Sequence, residues 1–146
     1  MTFEIRVVSN TPLTGEKDLE TALKTFLYQI GYLNKGSDPE IPYKIFFEFF
    51  IKRPDKAWMV EEISKELKVS KPTVYRHLNK LKGLDIIEDV QIVDQSGQNK
   101  KGYRLRYGNF EKAWSFVEAH LKVAIENYAK TVEHIQKLID ERGGKL

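Results

Sequence analysis

Ser70, Lys71, Thr73, Tyr75, Arg76 and Lys80 crowd hydroxyls and positive charge into one short segment. Their chemistry is anion binding by hydrogen bonds. Hydroxyls and ammonium groups suit phosphate oxygens, and the Arg76 guanidinium is a planar fork that engages two acceptors at once. A second basic group, Lys100, Lys101 and Arg104, lies further along the chain. From Lys71 to Arg106 eight Lys or Arg stand against four acids, a local +4 inside a net charge of +3, so the rest of the chain carries −1. The average charge is too small to choose a partner; its position has to decide. No set of residues for catalysis matches this one. The chain has no cysteine, its histidines (His77, His120, His134) lack the i, i+4 spacing of a helical metal pair, and no glycine-rich phosphate loop occurs. We therefore expect no catalytic residue, cofactor or metal, with a nitrogen and oxygen site drawn from Glu118, His120 or His134 left open. His77 reads as a packing histidine.

The elements that must hold these residues follow from periodicity. Phe3, Ile5 and Val7 alternate with Glu4 and Arg6, which predicts a short strand stopped at Asn10-Thr11-Pro12. Leu19, Leu23, Phe26, Leu27 and Ile30 predict a helix stopped by Gly31, and the turn residues 34–39 mark a limit after it. The aromatic run 43–51, bracketed by Pro42 and Pro54, predicts a helix apolar nearly all round. Val60, Ile63 and Leu67 give one short helix an inward face, and Val74, Leu78 and Leu81 give the next one another. Only Lys68-Val69-Ser70 separates them. Ser70 is placed to cap the second helix, Pro72 sits in its first turn, and Gly83 ends it. Residues 86–93 and 102–107 predict a hairpin around a long polar loop, 94–101, ending in Lys100-Lys101. From Phe110 an apolar stripe in steps of three and four predicts one long helix, to near Arg142.

A helix, a three-residue turn, a second helix and a basic-tipped hairpin in this order resemble the winged helix-turn-helix, over roughly residues 40 to 108. Within that superfamily the pattern is most similar to ArsR-like and TrmB-like prokaryotic regulators, many of them archaeal. Two positions depart from the family habit: Lys68 stands where the turn usually has glycine, and Ser64 where the first helix usually has alanine. The resemblance implies a mainly α (α+β) fold: a winged helix-turn-helix domain (39–108) between an N-terminal strand-helix extension (1–38) and a C-terminal dimerisation helix (109–146). It implies a transcription regulator with double-stranded DNA as partner. A recognition helix at 71–82 would enter the major groove, and the wing, 94–101, would hold the backbone. Ser70, Lys71, Thr73, Tyr75, Arg76, Lys80, Lys100, Lys101 and Arg104 are the expected DNA contacts. Missing thiolates exclude the cysteine metal sensing known among ArsR-like proteins.

The stripe of Trp114, Val117, Leu121, Ala124, Tyr128, Ile135 and Leu138 is too long for one small core to cover, so two copies are expected to pair along it as a homodimer. The 146-residue length fits one domain, and 41% hydrophobic with 12% aromatic residues suffices for a core. The charged start of the chain is unlike a signal peptide and no run approaches 18 apolar residues, so the expectation is a cytoplasmic protein without a membrane partner. The alternative is an adaptor that recruits a transcription factor or an RNA polymerase component through residues 1–38 or the winged domain.

Overall fold

The computed structural model describes residues 3–143; residues 1–2 and 144–146, which belong to the two terminal segments expected above, lie outside the described part. Helix α1 (Leu19–Gln29) begins where the Asp18 carboxylate accepts the Thr21 N–H, and ends at Gly31, whose φ of +89° only glycine adopts freely. Helix α2 (Glu40–Lys44) carries Pro42 in its first turn and widens into a π-helix over Ile45–Ile51. The wider turns leave carbonyls to be satisfied from outside. Trp58 Nε1 donates to the Phe49 carbonyl at 2.9 Å and Arg53 Nε to that of Glu48 at 3.1 Å. Phe46, Phe49 and Phe50 are fully buried, as a helix apolar on most sides requires.

Helices α3 (Val60–Leu67) and α4 (Lys71–Gly83) follow, then strands β1 (Ile87–Val93) and β2 (Asn99–Leu105), a single 3-10 turn (Arg106–Gly108) and the long α5 (Phe110–Arg142). The strands pair antiparallel, with Glu88 opposite Arg104, Gln91 opposite Lys101 and Ile92 opposite Lys100. Trp58 adds an isolated bridge to Tyr103. One hydrophobic core runs through all of this. Leu23 and Leu27 of α1, Ile63 of α3, Val74 and Leu78 of α4, Leu105 of β2, and Ala113 and Val117 of α5 belong to the same cluster.

Three expectations are corrected. The described residues contain no N-terminal strand. Residues 3–8 run extended as a strap whose Glu4 N–H meets the Gly83 carbonyl at 3.0 Å and whose Arg6 N–H meets that of Ile30 at 3.1 Å. The alternation of Phe3 and Ile5 was legible, but the groups facing it are the carbonyl ends of α4 and α1, not another strand. The hairpin loop is also shorter than expected. Asp94 Oδ1 accepts the N–H groups of Ser96 and Gln98, which closes the turn by Gln98 and leaves Lys100 and Lys101 inside β2. Finally, α5 does not offer its whole stripe to a partner. Val117 is fully buried by its own chain, and Trp114 packs edge-on against Phe26, ring centroids 5.2 Å apart.

Candidate nucleic-acid interface

The start of α4 is built by local chemistry. Glu62 Oε1 accepts the Met59 N–H at 2.9 Å and so closes the start of α3. At the other end of that helix Lys68 takes the left-handed conformation, φ 57° and ψ 44°, which is why glycine suits the position. Ser64 Oγ donates to the Val69 carbonyl at 2.5 Å, tying the turn to α3 through the hydroxyl that replaces the usual alanine. Ser70 Oγ accepts the Thr73 N–H and lies 2.9 Å from Thr73 Oγ1. Both hydroxyls are thus engaged with each other in the cap. Val74, Leu78 and Leu81 are fully buried, which fixes the rotation of α4 and leaves Lys71, Tyr75 and Arg76 in solvent. Among the described residues neither Lys71 nor Arg76 has an acidic partner.

His77, next along the helix, is partly buried with Nδ1 shielded and unbonded. Burial pushes its pKa down to about 4, helped by the charges of Arg76 and Lys80. The imidazole is therefore neutral at physiological pH and adds no charge to this face. Lys80 is placed differently from Lys71 and Arg76: its ammonium donates to the Tyr32 carbonyl at 3.0 Å and pins α4 to the end of α1.

The root of the wing carries cations and anions in pairs. Arg104 Nη2 is 2.6 Å from Glu88, Arg106 lies 3.5 Å from Glu88 and 3.9 Å from Asp85, and Asp89 receives Lys82 at 2.7 Å and Lys101 at 3.7 Å. These ion pairs were missed from the sequence. The antiparallel register that sets Glu88 opposite Arg104 was the available signal, hidden by the overlong loop. Lys100 alone of the three expected wing contacts has no acidic partner within the described residues; at a distance it helps hold the Asp94 carboxyl below its usual range, after the Ser96 hydroxyl and the Gln98 N–H.

Asp85, at φ 62°, forms the corner between α4 and β1. Its carboxylate lies 2.5 Å from His120 Nδ1 on α5, so His120 is occupied by a corner of the winged module. No cluster of three or more possible metal ligands occurs among the described residues, and no helix among them is long and apolar enough to cross a membrane.

One comparison with known proteins falls on this module. Residues 59–89 match the family described as bacterial regulatory protein, arsR family. That segment is similar to the helix-turn-helix of this family of regulatory proteins, and it spans α3, the turn, α4 and the start of β1. Among curated proteins no sequence matches the chain. Among solved structures, a possible transcriptional regulator from Methanosarcina mazei Go1 aligns with 91% of this chain and 98% of its own at 17% identity, with a TM-score of 0.46.

Proposed function

We propose that the chain is a homodimeric transcription regulator that reads double-stranded DNA in the major groove with the start of α4 and touches the flanking backbone with the wing. The observation that carries this reading is the division of α4: one face wholly buried, and on the other Lys71 and Arg76 exposed without acidic partners among the described residues. Arg76 is suited to the two acceptors of a guanine edge. The Lys71 ammonium at the start of the helix suits a phosphate, and Tyr75 flanks it. Ser70 and Thr73 act by holding that turn, and Lys100 reaches the backbone from β2. Lys80, Lys101 and Arg104 hold the module together and contribute to DNA binding less than the sequence alone suggests.

The test is a binding selection from random duplexes followed by titration of the enriched site. Arg76→Ala should relax preference at one base pair by about 1 to 3 kcal/mol. Equal weakening on every sequence would assign Arg76 to phosphate and leave the major-groove reading without its base contact.

Pairing of two copies rests on the far part of α5. Beyond residue 121 the helix runs about 30 Å further, and along it Tyr128, Val132, Ile135 and Leu138 are exposed, Tyr128 at 72%. Helices in proteins draw most of their stability from packing an apolar face, and burying each such side chain contributes roughly 1.5 to 3 kcal/mol. Light scattering should give twice the chain mass, and Tyr128→Glu with Ile135→Glu should give a monomer with reduced helicity. A wild-type monomer at micromolar concentration would remove the dimer, and with it half-sites about 34 Å apart.

A further inference from the structure

In the aromatic run Phe46, Phe49 and Phe50 are spent on the core, and a cavity of about 260 Å³ lies elsewhere, between the strap, α1 and the near part of α5. Phe26, Ile30, Trp114 and Leu121 form its apolar walls with Ile5 of the strap. Edge-to-face contacts of Phe26 with Trp114 at 5.2 Å and with Phe110 at 5.9 Å fix those walls. The polar lining comes from Arg6, Asn10 and Gln29. A mainly apolar space with a few polar groups at its border is the usual form of a small-molecule site, and the volume suits a compound of one ring.

The charge at the border narrows the chemistry. The Arg6 backbone is fixed by its bond to the Ile30 carbonyl, so its side chain starts from a defined point beside the cavity. No carboxylate pairs with its guanidinium among the described residues. Glu4, two residues away, lines a separate cleft of about 800 Å³ together with Asn79, Lys80 and Gly83. Arg6 borders both spaces, but the aromatic walls belong only to the smaller one. An exposed arginine at the border of a space with aromatic walls matches a carboxylate attached to a ring: the fork can take both oxygens while the ring displaces water from apolar surface. One N–H of the Asn10 amide goes to the Val8 carbonyl and both Asn10 and Gln29 are neutral, so Arg6 is the cationic anchor of this lining.

We propose that this cavity binds a small aromatic carboxylate, with the ring between Phe26 and Trp114 and the acid on Arg6. The site lies where α5 leaves the core and where the strap begins its path to the Gly83 carbonyl at the end of α4. An occupant therefore touches both the helix expected to pair two copies and the segment that caps the expected reading helix.

The experiment uses the full chain without DNA, so its result is independent of whether the protein reads DNA. Benzoate and phenylacetate are titrated by calorimetry and by tryptophan fluorescence, with benzamide as the neutral match. The expected result is saturable binding of at least one acid with a change in emission from Trp114, and binding of benzamide at least tenfold weaker. Arg6→Gln should weaken the acid roughly tenfold or more and benzamide little, as loss of a charge-assisted hydrogen bond predicts. Asn79→Ala, in the neighbouring cleft, should leave the acid unaffected. No saturable binding of either acid, equal affinity in Arg6→Gln, or loss in Asn79→Ala in its place would each overturn the proposal; the last would put the anion in the neighbouring cleft.

Discussion

The start of α4 and the root of the wing both carry positive residues, and they present them in opposite ways. Lys71 and Arg76 stand in solvent without acidic partners among the described residues, whereas Lys82, Lys101, Arg104 and Arg106 are each held by Asp85, Glu88 or Asp89. The difference follows from geometry. No acid occurs in α4 within reach of Lys71 or Arg76, while an antiparallel ladder sets the residues of one strand directly against those of the other, here Glu88 against Arg104. A local charge of +4 counted along the chain therefore overstates what a polyanion would meet at the wing.

The contrast is most open to attack at α4. Lys71→Ala with Arg76→Ala should lower the log-log salt dependence of DNA affinity by about 0.9, for the phosphate contact of Lys71, or by about twice that if Arg76 touches phosphate in place of a base. Fluorescence anisotropy from 50 to 300 mM salt, on the order of the range where counterion release is resolved, measures it, and an unchanged slope would shift the interface away from α4. Within the wing the effect should divide. Lys100→Ala should flatten the slope by about 0.9, whereas Arg104→Ala should leave the slope alone and lower folding stability by about 1 kcal/mol, since its ion pair with Glu88 is only partly shielded. If Arg104→Ala flattens the slope as much as Lys100→Ala, the paired cations also meet DNA.

The smallest effect concerns His77. With its pKa pushed down to about 4 in the fold and near the usual 6.5 when unfolded, the unfolded chain binds the extra proton between those values. Stability should fall as the pH drops from about 6.5 to about 4, and His77→Gln should flatten that part of a melting-temperature profile. An identical profile in both proteins would mean that His77 titrates alike in the folded and unfolded chain, and would remove burial as an influence on it.

Much of the fold was legible because burial forces a period on the sequence. Val74, Leu78 and Leu81 fixed both the existence and the rotation of α4, and Ser70 with Pro72 fixed its start. Lys68 was identifiable as the occupant of a glycine position, and its left-handed backbone shows what that position demands. The partners of the strap were not legible, because alternation reports one buried face but not what supplies the opposing hydrogen bonds. The short hairpin turn was missed because Asp94 serves two N–H groups at once. In the candidate site the exposed cations of α4 were readable, but the ion pairs of the wing depend on register, and an error in loop length hid them. On α5 the stripe was read correctly as apolar, although one periodicity serves two purposes: Val117 closes the core of its own chain, and Tyr128 with Ile135 remains uncovered.

The strap bears on how the chain is made. Its two backbone bonds join residue 4 to residue 83 and residue 6 to residue 30. At roughly 5 to 20 residues per second, synthesis reaches residue 83 several seconds after residue 4, and folding of small helical units is far faster than that. Through that interval Phe3 and Ile5 have no α4 to lie against. The strap is thus fixed well after it is synthesised: residue 6 once the end of α1 has been made, and residue 4 only once α4 is complete.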